Sequence, residues 1–303
     1  MASPFTNYRN VLDYHPPLYR PPSEGQNLII QATIGCSFNR CRFCSMYRSK
    51  SFRPRPWPEL KAHMDAAIAD WPDATRVFLA DGDALTLPTD ELLRILDYLQ
   101  THLPGLTRVS SYALPANLRK KSVTELERLS AARLTLLYYG IETGAPALLK
   151  RITKGATPDG MVDGLNKAAQ AGMKVSATVV LGLGGANHWQ EHIDGTVELL
   201  QRAPLSYLST LQLYLEESVR DDFLAAFDPP FIAQDDIAIL REQHRLIDAL
   251  TDPPQRLIFR SNHASNALAL AGNLPRDRDK LLAQIDAALS GDAPLRPAYL
   301  RGL

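Results

Sequence analysis

The chain has 303 residues, of which 45% are hydrophobic, and its 33 basic side chains balance 33 acidic ones. A length of this order suits one α/β domain of barrel size or two smaller units, and zero net charge excludes a global field that draws the molecule to nucleic acid or an anionic membrane. No apolar run reaches the ~20 residues of a membrane span, and the start M-A-S-P-F-T-N-Y-R-N lacks a signal-peptide pattern, so a cytoplasmic location is expected.

Residues 1–26, rich in Pro and Tyr and including H-P-P-L-Y-R-P-P, read as an extended N-terminal arm. Six apolar runs then read as strands: N-L-I-I-Q-A-T-I, R-V-F-L-A, R-V-S-S-Y-A-L, L-T-L-L-Y-Y-G, K-V-S-A-T-V-V-L-G and Y-L-S-T-L-Q-L-Y. Between them, apolar residues at three- and four-residue intervals predict helices over 58–70, 89–102, 121–132, 158–171 and 187–202. Pro88-Thr89 ahead of Glu91, Ser122 ahead of Glu125, and Thr157-Pro158 supply helix starts, and Gly172 closes the helix over 158–171. Beyond residue 215 the pattern gives helices at D-D-F-L-A-A-F and 234–250, a strand-like R-L-I-F-R, and a helix over 276–290. Alternating strands and helices predict a parallel sheet covered by right-handed crossovers, with chemistry gathered at the strand C-terminal ends.

All three cysteines, Cys36, Cys41 and Cys44, lie in C-S-F-N-R-C-R-F-C, directly after the first strand. An odd, clustered set of thiols in a reducing compartment suits metal ligation better than disulfides. Three thiolates on one loop can hold three corners of a cubic iron–sulfur cluster and leave the fourth open; a Cys3His zinc site, with His63 the nearest histidine, or a set of small buried hydrophobes are the alternatives.

With Phe43 just before the third cysteine, this loop resembles the signature of the radical S-adenosylmethionine (SAM) superfamily, although its C-x4-C-x2-C spacing is one residue longer than the usual C-x3-C-x2-C. The turn A-D-G-D-A-L after the second strand is similar to the family's G-G-E-P turn, which implies that Asp81, Gly82 and Asp83 receive the amino group of SAM. The stretch Y-Y-G-I-E-T-G-A-P-A-L-L-K-R-I-T-K-G resembles the subgroup of methylthiotransferases and oxygen-independent coproporphyrinogen oxidase. That likeness implies that Glu142 lies near the SAM amino acid or ribose, and that Arg151 or Lys154 meets its carboxylate. The end of the fifth strand, V-V-L-G-L-G-G, is comparable to the family's adenine-side segment, here Leu181 and Gly182.

The resemblance implies a [4Fe–4S] cluster and SAM as cofactors, with reductive cleavage of SAM to a 5′-deoxyadenosyl radical that takes hydrogen from a small or medium-sized organic substrate. An electron donor such as flavodoxin or ferredoxin is then required. Cleavage of a different carbon–sulfur bond, to an aminocarboxypropyl radical, is an alternative within the family. Two further readings stay open: RNA modification, from the basic and aromatic stretch Arg40, Arg42, Arg48, Lys50, Arg53 and Arg55 with Phe43, Tyr47, Phe52 and Trp57, and a non-enzymatic zinc or iron–sulfur interaction protein. After the last strand-like run, R-S-N-H-A-S-N offers Ser261, Asn262, His263 and Asn266 to the open end of the barrel, with His263 as a general acid or substrate anchor. Glu216 and Glu217 read as a solvated turn.

The fold class expected is therefore α/β, a partial (βα)6 TIM-like barrel. Its core spans residues 27–215, after the arm at 1–26, and a C-terminal helical extension at 216–303 closes the open side within the same compact unit.

Overall fold

The computed structural model describes residues 13–301, so the first part of the expected arm lies outside the described residues. The strands are β1 (Leu28–Gln31), β2 (Thr33–Ile34), β3 (Arg53–Pro54), β4 (Arg76–Ala80), β5 (Arg108–Ala113), β6 (Leu134–Glu142), β7 (Lys174–Leu181), β8 (Tyr207–Gln212), β9 (Leu257–Ser261) and β10 (Leu270–Leu274). The helices are α1 (Trp57–Asp70), α2 (Thr89–His102), α3 (Pro115–Lys120), α4 (Val123–Ala131), α5 (Pro146–Arg151), α6 (Pro158–Gln170), α7 (Gly185–Leu200), α8 (Glu217–Leu224), α9 (Asp236–Ala249) and α10 (Arg278–Leu289). No helix among the described residues is long and apolar enough to cross a membrane.

The main sheet has eight strands in the linear order β1-β4-β5-β6-β7-β8-β9-β10, and β2 and β3 form a separate two-stranded ladder. The sheet is mostly parallel, and β10 pairs antiparallel to β9. All six expected strands are present, and the strand-like R-L-I-F-R is β9. The C-terminal segment also adds β10, which the sequence reading did not anticipate: its L-A-G-N-L carries the Gly and Asn of a turn, and its burial alternates as in an edge strand.

The chain divides into two compact units, one made of residues 1–39, 46–113 and 127–137, the other of 40–45, 114–126 and 138–303. In the first unit, β1, β4 and β5 run in parallel register, Ile30 opposite Leu79 and Leu79 opposite Ser111. Its core contains Ile30, Val77, Phe78, Leu79 and Val109, together with Leu92, Ile95, Leu96 and Leu99 of α2. The run of apolar residues along β4 is what a strand covered on both faces requires.

In the second unit, β7, β8, β9 and β10 are consecutive, with α6 and α9 against β7 and α10 against β10. The helix starts follow the chemistry expected of them. Thr157 Oγ1 accepts the Gly160 amide at the start of α6, and ahead of α4 the Ser122 amide donates to Glu125 while the Glu125 amide donates back to Ser122 Oγ. Helices α3 and α5 are only six residues each and begin with Pro115 and Pro146, too short to show a helical period in the sequence.

Candidate functional site

In the first unit, β2 runs into Gly35, whose φ of +75° is left-handed, and Cys36 follows. The Gly35 amide donates to Asp81 Oδ2 at 3.0 Å, and the same oxygen accepts from Gln31 Nε2 at 3.1 Å and Lys50 Nζ at 2.6 Å. The side chains of Lys50 and Asp81 are both 0% exposed, so this is a fully buried ion pair. Ser37 Oγ donates to the Asp83 carboxylate. Between the two acids, a Cβ on Gly82 would stand 2.5 Å from the Tyr47 ring. The D-G-D turn therefore clamps the start of the cysteine loop, and its glycine is required because an aromatic ring lies against it. Burial, reinforced by Tyr112 and by the charge of Asp81, pushes the Tyr47 hydroxyl well above the usual tyrosine range.

In the second unit, the Arg42 amide donates to the Ile152 carbonyl at 2.9 Å and the Cys44 amide to the Cys41 carbonyl at 3.1 Å. Phe43 packs against an apolar cluster that includes Leu148, Ile152, Phe223 and Phe227. The aromatic residue before the third cysteine is thus a plug that seats the loop, while Cys36, Cys41 and Cys44 are each half-buried.

Strand β6 ends at Glu142, a non-glycine residue with a left-handed φ of +64°. Glu142 Oε1 accepts from Lys154 Nζ at 2.7 Å, with the two side chains 11% and 6% exposed. Burial works to lower the Lys154 pKa, but Glu142 and the charges of Cys41 and Cys44 raise it, and the net shift is upward. Lys154 therefore stays an ammonium ion. A Cβ on Gly140 would meet Glu142 Oε1 at 2.0 Å and Lys154 Nζ at 2.9 Å, so the glycine makes the space for the pair. Arg151 goes elsewhere: its Nη1 lies 2.7 Å from His188 Nε2 and its guanidinium 5.4 Å from the Phe227 ring centre.

The residues after Glu142 are braced against α7, a network the sequence reading missed. His192 is fully buried, with Nε2 3.0 Å from the Val180 carbonyl and Nδ1 2.8 Å from Thr143 Oγ1. The carbonyl requires Nε2 to carry the proton, so Nδ1 accepts from the hydroxyl. Burial lowers the His192 pKa to about 4. The Gly144 amide donates to Thr196 Oγ1 at 2.9 Å, and a Cβ on Gly144 would stand 2.1 Å from the Gly195 carbonyl.

At the end of β7, Leu181 is buried and Gly182 has a left-handed φ of +81°. The Gly182 amide donates at 2.6 Å to Glu242 Oε2, a carboxylate of α9 that is 0% exposed. Burial pushes the Glu242 pKa up to about 8, against the pull of the Gly182 amide and Gln234. A lone Glu in an amphipathic helix gives no sequence signal for this role.

The R-S-N-H-A-S-N residues divide. Ser261 and Asn266 do not project into an opening: they are buried, with Asn266 Nδ2 donating to the Thr210 carbonyl at 2.8 Å and to Ser261 Oγ at 2.9 Å, and Asn266 Oδ1 accepting the Gln212 amide at 2.8 Å. Asn262 is exposed and His263 half-buried. Glu216 and Glu217 are exposed at the start of α8.

His63 does not complete a Cys3His set. Its Nε2 accepts the Gln31 amide at 3.1 Å, its ring meets Tyr14 edge-on, and burial lowers its pKa to about 4. Among the described residues, no three His, Cys, Asp or Glu side chains converge as the ligands of one metal ion do. The thiolates of a cubic cluster each take a separate iron, so three half-buried thiols on one loop fit that group by ligand type and number.

Much of the basic stretch around the loop is engaged internally: Lys50 with Asp81, Arg53 with Glu59, Arg55 with Asp13 and Glu59, and Arg42 with Asp222. Tyr47 is buried, and Trp57 is covered by the Arg94 guanidinium at 3.7 Å.

The model of the radical SAM superfamily matches residues 30–200. The heme chaperone HemW of Bacillus subtilis (strain 168) is 22% identical over 146 residues, 48% of this chain and 38% of that protein. Among solved structures, coproporphyrinogen III oxidase (HemN) from Escherichia coli, a radical SAM enzyme, is similar with a TM-score of 0.56 and 15% identity over 74% of this chain and 52% of its own. The radical SAM methyltransferase TsrM from Kitasatospora setae, with cobalamin and a [4Fe–4S] cluster bound, gives 0.51 and 16% over 61% and 36%. The matched region is less than two thirds of each relative's length. The likeness is one of fold: the mostly parallel sheet is that of a partial TIM-like barrel.

Proposed function

This chain belongs to the radical SAM superfamily, and from that premise we propose that it cleaves SAM reductively and uses a 5′-deoxyadenosyl radical to take hydrogen from a small or medium-sized organic substrate. The family's members are enzymes whose cofactors are a [4Fe–4S] cluster and SAM. When bound, that cluster supplies the electron that breaks a carbon–sulfur bond of SAM. One observation supports the reading on this chain's own residues: Lys154 Nζ is paired with Glu142 Oε1 at 2.7 Å, nearly out of solvent, at the end of β6.

Cys36, Cys41 and Cys44 would hold three irons, leaving the fourth for the amino and carboxylate groups of SAM. Phe43 keeps the loop seated in its apolar cluster. Asp81 acts mainly as the tether of the loop, since one of its oxygens already accepts from Gln31, Gly35 and Lys50. Gly82 and Asp83 then remain for the SAM ammonium group. Of the two basic residues suggested by the sequence, we assign Lys154 rather than Arg151 to the SAM carboxylate and Glu142 to its amino acid or ribose, a choice supported by the pairing of Lys154 with Glu142 and the engagement of Arg151 with His188. Leu181 and Gly182 form the adenine side, with the backbone turn of Gly182 held by Glu242. The electron donor is of the flavodoxin or ferredoxin kind.

Anaerobic reconstitution tests this. The expected protein contains about four iron and four sulfide per chain and, with dithionite and SAM, yields 5′-deoxyadenosine. Methylthioadenosine as the nucleoside product would move the cleavage to the other carbon–sulfur bond, and stoichiometric zinc without sulfide would end the enzymatic reading.

A further inference from the structure

Strands in a parallel sheet are ordinarily apolar on both faces, because helices cover both. In β7, β8 and β9 the face toward the helices obeys this: Ala177, Val179, Leu208 and Phe259 are fully buried, and Thr210 on the same face of β8 accepts a bond from Gln243 of α9. The opposite face departs from it. Thr178, Ser209 and Arg260 are register partners across the three strands, with Ser176 opposite Tyr207 one step earlier. The hydroxyl residues are half-exposed and Arg260 is exposed. Neighbouring strands lie about 4.8 Å apart, so these side chains form one short polar row.

Arg260 is the only charged residue of that row. Its Nη1 donates to the carbonyls of Phe259 at 2.8 Å and Gly272 at 3.5 Å, and no carboxylate pairs with it among the described residues. Nε and Nη2 are left available. Three residues later, His263 Nδ1 accepts the Ser265 amide at 3.2 Å, which places its proton on Nε2. The turn carrying it is stapled to β8 through buried Asn266, so the donors are held on a rigid support.

We propose that this end of β9 anchors a small organic anion, the Arg260 guanidinium binding its carboxylate or phosphate oxygens while Thr178, Ser209 and His263 donate neutral hydrogen bonds. The anchor rests on the enzymatic reading above and gives its substrate a chemical class. A guanidinium with Nε and Nη2 unspent suits planar or tetrahedral oxyanions, and β7, β8 and β9 place no acidic residue on that face. Ser209, Arg260 and His263 lie beyond the family match at residues 30–200, and Thr178 lies within it.

The test uses the reconstituted protein with SAM, incubated with the low-molecular-weight fraction of an extract of the source cells that has been split on an anion exchanger. Compounds that co-elute with the protein are identified by mass spectrometry. Wild-type protein is expected to select compounds from the retained, anionic fraction; Arg260→Gln lowers that capture about tenfold or more, and Arg260→Lys restores part of it. Iron, sulfide and melting temperature of each variant establish that it is folded and loaded. Phosphatase treatment of the fraction separates a phosphate ester, whose capture it abolishes, from a carboxylate, whose capture survives. Selection only from the unretained fraction, capture unchanged in Arg260→Gln, or no capture at all overturns the anchor. Formation of 5′-deoxyadenosine is measured in parallel: its absence beside Arg260-dependent capture would defeat the enzymatic reading and leave the anchor standing.

Discussion

Lys154 and Glu142 form an ion pair at 2.7 Å, nearly out of solvent, between the end of β6 and the segment after α5. Their charges cancel in the folded chain, and the desolvation cost of each depends on the presence of the other. Removing one partner therefore strands the second. Lys154→Met is expected to destabilise the protein by about 3–5 kcal/mol and to weaken SAM binding, as read by anaerobic urea unfolding and equilibrium dialysis. The double variant Glu142→Gln with Lys154→Met should regain part of the stability and none of the SAM affinity. Unchanged unfolding of Lys154→Met would show that the pair carries no structural weight.

Asp81 poses the same question at the start of the loop. Asp81→Asn leaves the buried Lys50 ammonium without its counter-charge and weakens the bonds from Gln31 and Gly35. The cost is again about 3–5 kcal/mol, and iron retained after reconstitution should drop well below wild type because Cys36 is no longer positioned. Iron content equal to wild type in a folded Asp81→Asn protein would rule out the tether.

The Glu242 pKa is raised by burial to about 8 from its ordinary 4.5. A raised folded-state pKa means that the native state binds the proton more tightly than the unfolded chain. Its stabilising effect is complete below about pH 4.5 and is lost as pH rises through 8. Glu242→Gln keeps an acceptor for the Gly182 amide but cannot ionise. Relative to wild type, the variant should gain stability between pH 5 and pH 9, on the order of a few kcal/mol, as followed by thermal melts across that range. Parallel curves for the two proteins would remove Glu242 as the titrating group.

His192 works in the opposite direction. Burial depresses its pKa to about 4 from 6.5, so the folded state prefers the neutral ring. Stability from this group is full above pH 6.5 and is lost as pH falls through 4. His192→Gln should flatten the acid limb of the stability profile by up to about 3 kcal/mol. His63, also lowered to about 4, shares that window, so the comparison is made against the single variant rather than against a pH-independent baseline.

The strand ends at Glu142 and Leu181 and the cysteine loop were legible because short motifs carry them: left-handed glycines, a thiol spacing, and acids placed after apolar runs. Lys50 as the partner of Asp81 was not, since 31 residues separate them and nothing in the sequence marks which of several nearby cations folds inward. The His192 brace and the Glu242 contact escaped for the same reason: each is a polar residue on an amphipathic helix whose target is set by tertiary packing. Ser261 and Asn266 looked like open-mouth groups because small polar residues after a strand usually serve as loop, whereas here Asn266 bonds the Thr210 carbonyl and Gln212 amide of β8 and also donates to Ser261 Oγ. Strand β10 was hidden by its Gly and Asn, which an antiparallel edge tolerates.

Gly144 and Gly195 touch backbone to backbone: a methyl group on Gly144 would meet the Gly195 carbonyl at 2.1 Å, and one on Gly195 would come within 3.0 Å of the Gly144 and Ala145 main chain. No single substitution at either place can be absorbed by a rotamer change, and two together crowd the contact further. The close approach of the segment after Glu142 to α7 therefore depends on the missing Cβ of Gly144.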